Sequence, residues 1–312
     1  MHLSFFKIKI KRIWIITKFI FIIVTMVSNN VFSESLQFTS VSGGNNLTLS
    51  AVTSGQEENQ SLLFIHGFSQ SYLSWEKQLD SDLSENFLLA AFDLRGHGTS
   101  EKPFAPKNYK SSRLWADDVN AVIQELGLKR PILIGWSWAG FIIMDYVRHY
   151  GVSDISGINF VGANTSLEGP VPPPPPKPGQ NTSWFKDMMS PNIITNKNGV
   201  AAFIDLVTAD PLGPELREKA IIYNMMTPYY VRNAMMGYPK DNSDLIKKLT
   251  IPILITHGTD DLIVNYSGAA SLINILPNAR LSTYQRIGHA PFLENPDRFN
   301  GELARFAKKL SN

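Results

Sequence analysis

The chain has 312 residues, 44% of them apolar, no cysteine and a formal net charge of +2. A chain of this length buries most of the surface its unfolded form exposes and supports one large core, and so small a charge leaves no electrostatic footprint for a nucleic-acid partner. Without cysteine there are no disulfides, no thiolate metal sites and no cysteine nucleophile.

The first 33 residues differ from the rest. Lys7, Lys9, Lys11, Arg12 and Lys18 precede an uncharged apolar run at 19–27, followed by polar Ser28, Asn29 and Asn30 and then Ser33. A basic, then apolar, then polar order is that of an export signal, with cleavage expected after Ser33 and a periplasmic or secreted product. The alternative is an uncleaved anchor, the one membrane contact the sequence offers. Its apolar stretch is shorter than the roughly 20 residues a spanning helix needs, and Lys18 would lie inside the bilayer.

From Leu36 onward, short apolar β-branched runs alternate with longer amphipathic ones, the pattern of an α/β fold with a mostly parallel sheet. Strands are expected at 47–53, 62–66, 88–93, 132–136, 158–161, 253–257 and 281–285, and helices at 114–126, 138–150, 267–276 and 297–310. Between 164 and 248 the alternation stops. Pro172 to Pro176 form an unbroken proline run, an extended linker, and helical pieces are expected at 184–189, 201–207, 215–226 and 229–236. These divide the chain into a first core part at 34–163, a helical cap inserted at 164–248 and a second core part at 249–312. Met225, Met226, Met235 and Met236 suit either a cap lining or the cap's own core.

Gly135-Trp136-Ser137-Trp138-Ala139-Gly140 follows a strand and opens a helix. A sharp turn there lifts a serine hydroxyl above the sheet and needs small neighbours; Ala139 stands where G-x-S-x-G has its second glycine. A serine becomes nucleophilic when a base takes its proton. Of the histidines, His289 alone lies in a loop after the last expected strand, and the chain order serine, acid, histidine favours it as general base. The acid is then expected after the strand at 253–257, where Asp260 and Asp261 are adjacent; Asp261 is preferred and Asp260 held in reserve. The backbone N–H groups of Phe68 and Trp138 are the expected oxyanion donors. Trp136 and Trp138 either line an acyl site or pack in the core.

The segments FIHGF (64–68), AFDLRGHGTS (91–100), GWSWAG (135–140), HGTDDLIV (257–264) and GHAPFLENP (288–296) resemble those of the α/β-hydrolase superfamily, in particular its serine esterases, lactonases and cofactor-free haloperoxidase-like members. The resemblance runs from Leu36 to Asn312. It implies an eight-stranded, mostly parallel sheet with an inserted helical cap, and structural rather than catalytic roles for Asp93, Arg95 and Gly98. Members with an aspartate nucleophile, the dehalogenases and epoxide hydrolases, carry Asp where this chain has Ser137. The expected activity is hydrolysis of a carboxylic ester or lactone through an acyl-enzyme, with a small-molecule substrate and no cofactor or metal. Amide or C–C bond cleavage, perhydrolysis, and a non-catalytic ligand-binding role are the alternatives.

Overall fold

The computed structural model describes residues 36–167, 173–177, 179–180, 182–238 and 241–310. The export segment expected at 1–33 lies outside the described residues. Strands β1 (Gln37–Ser42), β2 (Thr48–Ser54), β3 (Ser61–Ile65), β4 (Leu88–Phe92), β5 (Ile132–Trp136), β6 (Gly157–Val161), β7 (Ile253–Gly258) and β8 (Ala279–Tyr284) form one sheet in the order β1-β2-β4-β3-β5-β6-β7-β8. Pairing is antiparallel for β1 with β2 and for β2 with β4, and parallel elsewhere. This is the α/β-hydrolase architecture.

The helices are α1 (Glu76–Leu79), α2 (Ser112–Glu125), α3 (Ala139–Tyr150), α4 (Trp184–Asp187), α5 (Ile193–Val207), α6 (Pro214–Met225), α7 (Tyr229–Met235), α8 (Tyr266–Ile275), α9 (Pro291–Glu294) and α10 (Pro296–Lys308). Every residue of β3 to β7 is buried, as strands covered on both faces must be, and so they read as continuous apolar runs. Leu62, Leu63, Phe64 and Ile65 are each wholly enclosed, and full burial of a side chain of this size contributes about 1.5–3 kcal/mol. Among the described residues no helix is long and apolar enough to cross a membrane.

The seven expected strands are all present, within two residues of the expected bounds. The eighth, β1, has a single buried residue, Val41, and so lacks the apolar alternation that marks a strand. Helix α5 starts well before 201. Its first half, Ile-Ile-Thr-Asn-Lys-Asn-Gly, is rich in poor helix formers, but Asn192 caps it by accepting from the Ile194 and Thr195 N–H groups. Gly199 is required there because a Cβ would lie 2.3 Å from the Met188 nitrogen. Helices α4 to α7 all fall between β6 and β7, and 173–177 carries no regular secondary structure.

Strand order fixes where a site can form. From β3 the chain adds β4 on one side, whereas β5, β6, β7 and β8 build outward on the other. The loops leaving the carboxyl ends of β3 and β5 therefore diverge from a common point, which is where open α/β sheets bind ligands.

Candidate active site

Ser137 stands on the turn between β5 and α3 with φ +57°, a left-handed conformation unfavourable for any residue but glycine. The turn is held by hydrogen bonds. The Ser137 N–H donates to the Val161 carbonyl at 3.0 Å, and the Ser137 carbonyl accepts from Gly140 at 3.0 Å and Asn164 at 3.1 Å. Small neighbours are a packing requirement: a Cβ on Gly135 would lie 2.5 Å from Ile143 Cδ1, and one on Gly140 2.6 Å from the Asn164 oxygen. Ala139, the departure from the motif, fits in full burial.

His289 sits in the loop after β8. Its N–H donates to Val207 at 2.8 Å, and its carbonyl accepts from Trp136 Nε1 at 2.9 Å. Its Nδ1 lies 2.7 Å from Asp261 Oδ2. A carboxylate can only accept here, so Nδ1 carries the proton and Nε2 presents a lone pair. Nε2 is buried and has no hydrogen-bond partner among the described residues. Glu294 holds this loop, accepting from Gly288 and Ala209 at 2.8 Å each.

Asp261 is buried, whereas Asp260 is exposed and, among the described residues, accepts only from the neighbouring Thr259 hydroxyl. The Asp261 carboxylate takes the Ile263 and Val264 N–H groups on Oδ1, at 2.8 and 2.9 Å. Oδ2 faces His289 and, at 3.1 Å, His257 Nε2. Burial alone would raise its pKa; the two histidines overcome that and hold it well below the usual carboxylate range. His257, the glycine at 162 and Glu294 were not singled out by the sequence. Gly162, φ +48°, follows β6, and a Cβ there would come within 3.1 Å of His289 Nδ1 and 3.4 Å of Asp261 Oδ2. The Ser137 turn and the His289 loop are thus both tied to the end of β6, the Ser137 N–H bonded to the Val161 carbonyl and His289 packed on Gly162.

Gly67 presses on Ser137, where a Cβ would be 2.9 Å from the serine Cβ. Phe68 comes next, and its N–H donates to no acceptor among the described residues. The Phe68 and Trp138 rings are 5.8 Å apart, Tyr238 lies 6.0 Å from Trp138, and Phe185 lies 6.4 Å from Phe68, forming an aromatic wall that includes the residue after the serine. Trp136 is buried among Trp75, Phe292 and His289, so it packs and positions. Met235 is fully buried and Met226 partly exposed, so the insertion's methionines divide between its core and its surface.

The remaining conspicuous side chains are structural. Asp93 accepts from Tyr72 and Thr99, and a Cβ on Gly98 would lie 2.0 Å from its carboxylate. Arg95 pairs with Asp118 in full burial. His66 accepts the Leu94 N–H and His97 the Ser69 N–H, so both rings carry their proton on Nδ1 and are neutral. Burial depresses both, His66 to about 4.

The chain belongs to the alpha/beta hydrolase family, whose model matches residues 62–302. It is similar to a non-heme chloroperoxidase of Streptomyces lividans, at 27% identity over 81% of this chain and 94% of the relative. It is also similar to a bifunctional esterase/perhydrolase of Acinetobacter calcoaceticus, at 26% identity over 81% of this chain and 94% of that one. A crystal structure of a Rhodococcus esterase superposes with a TM-score of 0.80 at 30% identity, covering 88% of this chain and 99% of its own. These relatives support an enzyme of this superfamily with hydrolase activity.

Proposed function

We propose that the protein hydrolyses carboxylic esters or lactones of small to medium apolar acyl groups through an acyl-enzyme. Ser137 is the nucleophile, His289 the general base, and Asp261 the residue that fixes the histidine's tautomer and stabilises the imidazolium. The observation that carries this reading is the buried 2.7 Å bond from His289 Nδ1 to Asp261, which leaves Nε2 an unpaired acceptor on a loop that packs, like the strained Ser137 turn, against the end of β6. Nε2 takes the hydroxyl proton as Ser137 Oγ attacks the ester carbon, and the Phe68 and Trp138 N–H groups receive the oxyanion. The protonated histidine delivers its proton to the departing alcohol. Water, deprotonated by the same Nε2, then releases the acid and restores the serine. The aromatic wall favours apolar acyl groups.

A second outcome at the same acyl-enzyme is attack by hydrogen peroxide in place of water, giving a peracid, and the relatives described as chloroperoxidase and esterase/perhydrolase favour including it. The test is fluorophosphonate labelling of wild type, Ser137→Ala and His289→Ala, with turnover of p-nitrophenyl acetate and butyrate, and of acetate plus peroxide, read in parallel. Labelling and turnover are expected in wild type and in neither variant. A folded, unlabelled wild type would refute the enzyme reading and leave ligand binding.

A further inference from the structure

Arg232, on α7 of the insertion, is wholly buried, and no carboxylate pairs with it among the described residues. Neutral groups surround its guanidinium. Nη1 donates to the Met188 carbonyl at 2.8 Å and to Asn196 Oδ1 at 2.9 Å, Nη2 to the Asn224 carbonyl at 2.7 Å, and Nε to the Ser69 hydroxyl at 2.8 Å. The first three partners belong to the insertion. The fourth belongs to the core, one residue beyond Phe68, and so to the loop that carries an expected oxyanion donor.

Ser69 has φ +65°, again left-handed, and such strain persists only where surroundings enforce it. They do so from two sides. His97 Nε2 accepts the Ser69 N–H at 3.1 Å from within the core, and Arg232 grips the side chain from the insertion. The next residue is tied the same way, Gln70 Oε1 accepting from Asn224 Nδ2 at 3.1 Å. A buried charge is retained only against a desolvation penalty. Burial pushes the Arg232 pKa down to about 10, so it remains a cation at neutral pH. Packing the insertion would be served better by an apolar residue; a cation bonded to the strained loop has a role an apolar side chain could not fill.

We propose that Arg232 is a positioning residue for the acyl-transfer step: it docks the insertion onto Ser69 and thereby sets the Phe68 N–H at the oxyanion position. This rests on the hydrolase reading above. The catalytic donors are then complete only when the insertion is seated, so the insertion belongs to the transition-state machinery as well as to substrate choice.

The full chain is compared as wild type, Arg232→Met, Ser69→Ala and the double variant, by thermal melting, fluorophosphonate labelling, p-nitrophenyl butyrate kinetics and inhibition by phenylboronic acid, which forms a tetrahedral adduct on an activated serine. Each single variant is expected to lower kcat by about 10- to 100-fold, as misplacement of a catalytic group does, with KM changed less than about threefold. Boronate affinity should fall by the same factor as kcat. The double variant should be no worse than the worse single one, because both remove the same Arg232–Ser69 bond. Wild-type kcat in a folded Arg232→Met protein overturns the proposal, as does a loss confined to KM. Should Arg232→Met fail to fold, Ser69→Ala decides, since it leaves the other three bonds of the guanidinium in place; unchanged kcat there overturns the clamp. An unlabelled wild type removes the hydrolase reading and the clamp together, whereas a labelled wild type with fully active Ser69→Ala removes the clamp alone.

Discussion

Gly162 shows how tightly single positions are set. Its φ of +48° disfavours any side chain, and a Cβ would press on the His289 carbonyl at 2.9 Å and on Nδ1 at 3.1 Å. Gly162→Ala is therefore expected to push the histidine off Asp261 and lower kcat by about 100-fold, with a Tm loss of a few degrees. Ester turnover and thermal melting check it; wild-type kcat in the folded variant would mean that the pair accommodates the methyl group without consequence. Ser137, Asp261 and His289 could be proposed as candidates from the sequence because each sits in a local pattern: a small-residue turn after an apolar strand, and short polar loops after two later ones. Gly162 was not, since its neighbours come from loops after β7 and β8 and are brought to it only by parallel pairing that sets Val161 against Thr256 and His257 against Thr283. His257 was visible as a histidine four residues before Asp261, but nothing local says that it shares the Asp261 Oδ2 atom with His289.

Elements were legible where periodicity was strong. The five fully buried strands and the amphipathic helices α2 and α10 announce themselves, whereas β1 and the start of α5 depend on a tertiary partner and an N-cap that composition does not encode. What joins the elements is often polar. Arg95, after β4, makes two 2.6 Å bonds to Asp118 on α2, and Asp118 also accepts the Gly44 N–H at 2.9 Å, so one ion pair ties the β1–β2 turn, the β4 loop and α2. Removing one partner leaves the other charge buried and uncompensated. Arg95→Met is expected to lower the unfolding free energy by about 3–5 kcal/mol, and adding Asp118→Leu should restore most of it. Urea unfolding of both variants tests this; a single variant with wild-type stability would mean that the loop carries the pair as ornament.

At the scale of the whole molecule, two kinds of buried titratable group give stability two opposing slopes with pH. His66 and His97 face each other, with Asp93 beside the first and Lys102 and Arg232 beside the second, and burial keeps both neutral in the fold. Their unfolded value is about 6.5, and the folded value for His66 is about 4. The His66 contribution is thus fully present above pH 6.5 and is lost as pH falls toward 4, because only the unfolded chain takes up the proton there, and the His97 contribution is lost in the same direction. Asp145 on α3 behaves oppositely. Burial raises its pKa to about 8 despite its hydrogen bond from the Tyr238 hydroxyl and the nearby Arg148, against about 3.9 unfolded. The fold binds that proton more tightly, so its contribution is present at low pH and is lost as pH climbs to 8. Below about pH 6.5 the two histidines make stability rise with pH and Asp145 opposes them; between 6.5 and 8 the histidines no longer contribute to the slope and Asp145 makes stability fall. A Tm maximum near pH 6.5 is expected, and Asp145→Asn should abolish the decline on its alkaline side while leaving the acid side rising. Melting curves across this range decide it: an unchanged alkaline decline in the variant would place its source in a group other than Asp145.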